Sequence, residues 1–258
     1  MERGIYVLRF YYVILISIPF IVFYLLVADY YVKNRERYDE EQCYELAQKV
    51  VVRFKKNARI KTVSYGEEHL PQEGGYIMYS NHQGRYDAVG IISVHEKPCT
   101  VVMDEVRSKL LVVNQFVELL EGIRLSRTDF RQQVECAKEI QKGVEQGRKY
   151  IYFPEGGYDK NGNGLQDFRP GAFNCVKKAK APIVPVAIYD SHIPFDVNSL
   201  RKVTTQVCFL EPIYYEEYQQ MTTQQISDIV KGRIEECMTY LEEQRKAGKW
   251  NAKFYAKA

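Results

Sequence analysis

The chain has 258 residues, 46% of them hydrophobic and 27% charged, with a formal net charge of +3. This is ordinary globular composition with room for one sizeable core, and the charge excess is too small to argue for a nucleic-acid partner. Six scattered cysteines, Cys43, Cys99, Cys136, Cys175, Cys208 and Cys237, form no close pair, which fits neither a disulfide framework nor a zinc-site spacing and points to a reducing compartment.

Residues 10–28 form an uncharged aromatic and aliphatic run of the length that crosses a bilayer as a helix, with Pro19 near its middle. The run continues into Asp29, Tyr30 and Tyr31 rather than ending in small residues, which favours an anchor over a cleaved signal peptide. Basic residues follow it at Lys33, Arg35, Arg37, Lys49, Arg53, Lys55, Lys56, Arg59 and Lys61, against Arg3 and Arg9 before it. The positive-inside rule then gives a single-pass membrane protein with its main domain on the cytoplasmic face. Residues 40–57 carry a helical apolar stripe at Cys43, Leu46, Ala47, Val50, Val51 and Phe54.

From Arg59 short apolar runs alternate with amphipathic stretches. Strands are predicted at 60–65, 76–80, 99–103, 122–125, 149–153, 183–188 and 205–210, with helices near Ala88, Ser108, Asp129 and Pro170 and across 222–246. This alternation predicts an α/β fold, a mixed and largely parallel sheet flanked by helices behind an N-terminal transmembrane helix. The divisions are an anchor at 1–32, an amphipathic linker helix at 33–58, the main domain at 59–247 and a tail at 248–258. In the tail, Lys249, Lys253 and Lys257 alternate with Trp250 and Phe254 at helical spacing, which suits either a membrane interface or docking on the protein itself.

Four stretches carry chemistry. His82 follows the strand at 76–80 and Asp87 opens the next helix. A carboxylate there can fold back onto one imidazole nitrogen and leave the other for a proton, although the same spacing fits a surface histidine beside a helix cap. Arg127 ends the strand at 122–125 just before Thr128-Asp129, placed either to hold a phosphate at a helix start or to pair with a carboxylate. Glu155 and Gly156 follow the strand at 149–153. Pro185 interrupts the apolar strand at 183–188, which suggests a sheet edge or a bulge. Asp190 and His192 come next, where a metal shared with His82 and Asp87 is a remote alternative.

In this order, Asn81-His82 with Asp87, 122–127, Phe153-Pro-Glu-Gly156 and Val184-Pro-Val186 resemble the four motifs of the glycerolipid acyltransferases, most closely those acting on 1-acyl-glycerol-3-phosphate. The resemblance covers roughly residues 59–212. It implies that His82 is the general base and Asp87 its orienting partner. It further implies that Arg127, Glu155 and Gly156 serve the phosphorylated acceptor, that Val184, Pro185 and Val186 wall the acyl side, and that Asn81 belongs to the substrate-binding set. The third motif departs from the family pattern, since Gly157-Tyr158 stands where Thr-Arg is usual, and Arg169 is the candidate replacement cation. Gly84 stands where the family often has serine, and Asp104-Glu105 near a family lysine pair.

An acyl thioester is already activated, so an imidazole that deprotonates a hydroxyl suffices, with no metal or organic cofactor. The implied co-substrates are an acyl-coenzyme A or acyl carrier protein thioester and a lysophospholipid acceptor, with acyl transfer to the sn-2 hydroxyl of 1-acyl-glycerol-3-phosphate. Glycerol 3-phosphate, another lysolipid and a non-catalytic tethered lipid-binding protein are the alternatives.

Overall fold

The computed structural model describes residues 8–159, 161–196 and 200–248. The lysine and aromatic positions of the predicted tail lie outside the described residues. The seven strands are β1 (Ile60–Tyr65), β2 (Tyr76–Ser80), β3 (Thr100–Asp104), β4 (Ile123–Leu125), β5 (Lys149–Tyr152), β6 (Ile183–Tyr189) and β7 (Val203–Phe209). The helices are α1 (Leu8–Lys33), α2 (Glu40–Ala58), α3 (Asp87–Ile92), α4 (Glu105–Ser108), α5 (Leu111–Leu119), α6 (Phe130–Glu145), α7 (Asn174–Ala179), α8 (Ile193–Asp196), α9 (Tyr215–Tyr218) and α10 (Thr223–Lys246). Every predicted strand is present, each within two residues at either end.

One sheet runs β1-β7-β6-β2-β5-β3-β4. Strands β6, β2, β5, β3 and β4 are mutually parallel, while β7 lies antiparallel to β6 and carries β1 parallel to itself. Five strands therefore deliver their carboxyl ends to one side, where α/β sheets keep ligands. Alternate side chains feed two apolar layers. Ile77, Tyr79, Ile183 and Ala187 face α6, α7 and α10, while Tyr76, Met78, Val184 and Val186 face α1, α2, α3 and α5. The six cysteines are free and buried, Cys43 and Cys99 in the second of these layers and the other four in the first.

Helix α2 starts at an Asp39 capping box with Gln42, which satisfies two otherwise orphaned N–H groups. It buries Cys43, Tyr44, Leu46, Ala47 and Val51, so the expected linker helix forms one wall of the core. Tyr44 Oη donates to the carbonyl of His95 at 2.8 Å, tying α2 to the loop after α3. Helix α1 docks as well. Val13, Ser17 and Ala28 are buried along one stripe, α1 contacts α2, α5 and α8, and Asn57 Nδ2 donates to Ser17 Oγ at 2.8 Å. Leu15, Val22, Phe23 and Leu26 remain exposed on the rest of α1.

The structure corrects the expectation that Pro185 marks an edge or bulge. Strand β6 is central, paired with β2 on one side and β7 on the other. A strand residue points its N–H and C=O to the same side, and the Pro185 carbonyl accepts from Leu210 N on the β7 side at 2.9 Å. The missing N–H therefore falls where the β7 ladder has already ended at Phe209, and pairing with β2 is intact.

Gly75 enters β2 against backbone: a Cβ there would lie 2.3 Å from the Val144 carbonyl oxygen and 2.5 Å from that of Arg148. Gly75→Ala is expected to lower the unfolding free energy by about 2 kcal/mol or more. Gly171→Ala, where a Cβ meets nothing within 4 Å, should change it by less than about 1 kcal/mol. Equal denaturation midpoints for the two variants would contradict the crowding.

Candidate active site

The loop after β2 is fixed residue by residue. Strand β2 ends at Ser80, yet Ile188 of β6 still presents its N–H and C=O toward it. The Asn81 amide takes both, with Oδ1 accepting from Ile188 N at 2.8 Å and Nδ2 donating to Ile188 O at 3.0 Å. His82 then leaves the sheet, and its backbone N–H donates to Glu155 Oε1 at 3.0 Å. Asp87, first residue of α3, turns its carboxylate back under the loop. One oxygen, Oδ2, accepts from His82 Nδ1 at 2.6 Å, Gln83 N at 2.6 Å and Gly84 N at 2.8 Å. With Nδ1 donating, the Nε2 lone pair is free to take a proton. The imidazole stacks on Phe153 at 4.4 Å and meets the edge of Tyr158 at 4.7 Å, which holds its plane as well as its tautomer.

Beside it lies a cavity of about 310 Å³ lined by Arg107, Arg127 and Arg169 together with Glu155, Gly156, Gly157, Tyr158, Asp159 and Gln166. Arg127 pairs through its Nε with Asp104 Oδ2 at 2.6 Å, the expected carboxylate contact, and also lines the cavity. The glycines explain how the cations come so close to the backbone. A Cβ on Gly156, whose φ is +74°, would sit 2.8 Å from Arg169 Nε, and one on Gly157 would sit 3.3 Å from an Arg127 nitrogen. Arg107 lies over the Tyr158 ring at 5.0 Å, so Tyr158 contacts both a cation and the His82 imidazole.

Sequence reasoning placed His82, Asp87, Arg127, Glu155, Gly156 and Arg169 here, and the structure brings them together. Asn81, Val184 and Pro185 do not line the cavity. Asn81 is buried and spends both ends of its amide on Ile188, while Val184 and Pro185 are buried within β6, Val184 facing the apolar layer under α2. Asp190 is also otherwise engaged: its Oδ1 accepts from Asn163 Nδ2 and Arg245 Nη1, each at 3.0 Å. Asn163 Oδ1 in turn accepts from Gln83 Nε2 at 2.9 Å and from Asp190 N at 2.8 Å. The loop after Tyr158 and the last turn of α10 thereby brace the residue next to His82. The sequence reading missed Gln83, Asn163, Arg245 and Arg107. Its position shortly after the carboxyl end of β3 is the one sequence signal that singles out Arg107.

Glu155 is buried, and burial pushes its carboxyl group up to about 7 although His82 N and Gln166 Nε2, the latter at 2.5 Å, donate to it. The folded protein thus favours the protonated form, while the unfolded chain releases that proton near pH 4.3. The resulting stability is fully present below that pH and is lost as pH rises through about 7. Relative to Glu155→Gln, the wild type should lose up to about 3 kcal/mol between pH 4.5 and 8. A difference in unfolding free energy that stays flat with pH would contradict the assignment.

Comparison with known proteins places the chain in a family. Residues 61–189, half of the chain and the span from β1 through β6, match the acyltransferase family model. A chloroplastic 1-acyl-sn-glycerol-3-phosphate acyltransferase of Brassica napus is 30% identical over 129 residues, covering 50% of this chain. The chain spans only 37% of that relative's length. The 1-acyl-sn-glycerol-3-phosphate acyltransferase of Escherichia coli K12 is 25% identical over 181 residues, 68% of this chain and 74% of that one. The crystal structure of the 1-acyl-sn-glycerophosphate acyltransferase of Thermotoga maritima superposes with a TM-score of 0.72 at 19% identity, covering 92% of this chain and 94% of that one. The sheet whose strand ends carry His82, Arg127 and Glu155 is therefore that of a known fold, and the chain belongs to the acyltransferase family.

Proposed function

We propose that the protein transfers a fatty acyl group from an acyl thioester to the free sn-2 hydroxyl of 1-acyl-glycerol-3-phosphate, forming phosphatidic acid. The observation that carries this reading is the oriented His82–Asp87 pair beside a cavity lined by three arginines. Guanidinium groups hold phosphate through paired N–H donors. A phosphate among Arg107, Arg127 and Arg169 would bring the glycerol hydroxyl toward His82 Nε2. The imidazole takes the hydroxyl proton as the oxygen attacks the thioester carbonyl, and Asp87 stabilises the imidazolium. Collapse of the tetrahedral adduct expels the thiolate, which receives the proton. Glu155 positions the base by holding its backbone N–H. The donor is an acyl-coenzyme A or acyl carrier protein thioester, and this chemistry draws on no metal or organic cofactor. Asn81, Val184 and Pro185 support the site from inside the sheet. The exposed apolar face of α1 attaches the enzyme to the membrane that holds its acceptor and product, with the domain on the cytoplasmic side.

His82→Ala should lower turnover by about 10² to 10⁴ while the protein stays folded, measured as product mass from a labelled thioester with a panel of lysolipids. A folded variant with wild-type turnover would refute the base assignment. Thioester that is bound but never consumed by the wild type would support a lipid-binding protein instead. Arg107→Ala and Arg169→Ala should each reduce use of a phosphate-bearing acceptor by about 10- to 100-fold relative to a neutral one. Equal losses on both acceptors would return the arginines to structural roles.

A further inference from the structure

Helix α4, the turn after it and the start of α5 carry large apolar side chains that no described residue covers. Val106 is 77% exposed, Leu110 62% and Leu111 77%. Phe130, at the start of α6, is 76% exposed. Exposed apolar residues are ordinary when scattered singly, but these are not scattered. Val106 immediately precedes Arg107, and Phe130 lies three residues beyond Arg127, so the two segments flank two of the three arginines that line the cavity. Val106 and Leu110 are four residues apart, and Lys109 beside Leu110 is exposed and paired with Glu105 at 2.6 Å.

The patch also continues a second apolar surface. Helix α5 packs against α1, and Val113, Phe116 and Val117 on its inner side join Tyr24 and Val27 of α1 in one apolar layer. The outward residues of the same two helices are Leu111 and Val112 on α5 and Phe23 and Leu26 on α1. Residues 11–33 of α1 are long and apolar enough to cross a membrane, with a mean hydropathy of 2.4 over the most apolar window.

We propose that the α4–α5 turn, with Val106, Leu110 and Leu111, inserts into the surface of a lipid leaflet and presents the arginine cavity to the headgroup layer. This rests on the reading of the cavity as a lipid-phosphate site. The observations favour a leaflet over a protein partner because apolar side chains stand directly beside guanidinium groups. That order, apolar next to cationic, matches a bilayer in which phosphates lie just above the acyl chains. A lysophospholipid then reaches the cavity by a short sideways step and need not leave the membrane.

The test uses the full chain reconstituted in vesicles of phosphatidylglycerol and phosphatidylethanolamine. An environment-sensitive fluorophore is placed through Leu111→Cys, the native cysteines being buried, and through Glu235→Cys on the exposed side of α10 as the control. Lipids brominated on the acyl chain should quench the probe at 111 and leave the probe at 235 unaffected. Equal quenching at the two positions overturns the proposal. So does a signal at 111 that follows protein concentration or added acyl carrier protein but not brominated lipid, which would assign the patch to a second copy or a carrier. A second measurement uses the double variant Leu110→Gln, Leu111→Gln. Its activity on a long-chain acceptor in vesicles should fall on the order of tenfold, while activity on a short-chain acceptor dispersed as monomers stays within about twofold. Equal loss on both acceptors, or no loss on either, overturns the proposal. If the wild type transfers no acyl group to any acceptor, the enzymatic reading fails by itself and the quenching still decides whether the turn meets lipid.

Discussion

One carboxylate oxygen organises the loop between β2 and α3. Asp87 Oδ2 receives the His82 imidazole and the backbone N–H groups of Gln83 and Gly84, so the turn between β2 and α3 closes around a single buried acceptor. A charge taken out of water is tolerated only when donors replace its hydration, and here the donors are the loop itself. Removing that carboxylate would release the imidazole's tautomer and also leave two buried backbone donors without partners. Glu155 holds the same loop from the neighbouring strand through the His82 N–H. The geometry of His82 is thus set by two acidic side chains, Asp87 at the start of α3, which bonds the imidazole, and Glu155 just beyond β5, which bonds the His82 backbone.

The sheet order explains how distant segments converge. Because β2 lies between β5 and β6, with β3 and β4 beyond β5, His82, Glu155, Arg107 and Arg127 all emerge at the same edge although they are up to 73 residues apart in sequence. Gly156 and Gly157 then remove the side-chain volume that would keep Arg169 and Arg127 from the backbone. Tyr158, standing where the family usually has a residue of the Thr-Arg pair, makes a T-shaped contact with the imidazole and carries Arg107 over its face. The altered third motif therefore places an aromatic ring in contact with both His82 and Arg107, and the arginines of the cavity come from three separate segments of the chain.

Much of this was legible in sequence because it is local. The apolar runs mark all seven strands, and the His82–Asp87 spacing marks a loop closed by its own helix start. What escaped depends on partners far along the chain. The order of the strands cannot be read from any one of them, so Pro185 looked like an edge residue when it sits beside the point where β7 stops. Asn81 reads as a site residue from its place next to His82, yet its amide completes the pairing of a strand 107 residues away. Asn163 and Arg245 brace the loop through Asp190, and no local pattern distinguishes them from other polar surface residues. Arg107 was the exception, close enough to a predicted strand end to have been considered.

The six buried thiols offer a built-in report on how the protein opens. A thiol-reactive reagent reaches a buried cysteine only through a fluctuation that exposes it, so the labelling rate of each measures the free energy of a local or global opening. Cys43 and Cys99 sample the layer that α1 and α2 cover, and Cys136, Cys175, Cys208 and Cys237 sample the layer under α6 and α10. Detachment of the two N-terminal helices from the sheet would expose the first pair and leave the other four protected, whereas cooperative unfolding would expose all six together. Lipid that held α1 and α2 against the domain would then be visible as selective protection of Cys43 and Cys99, without any introduced probe.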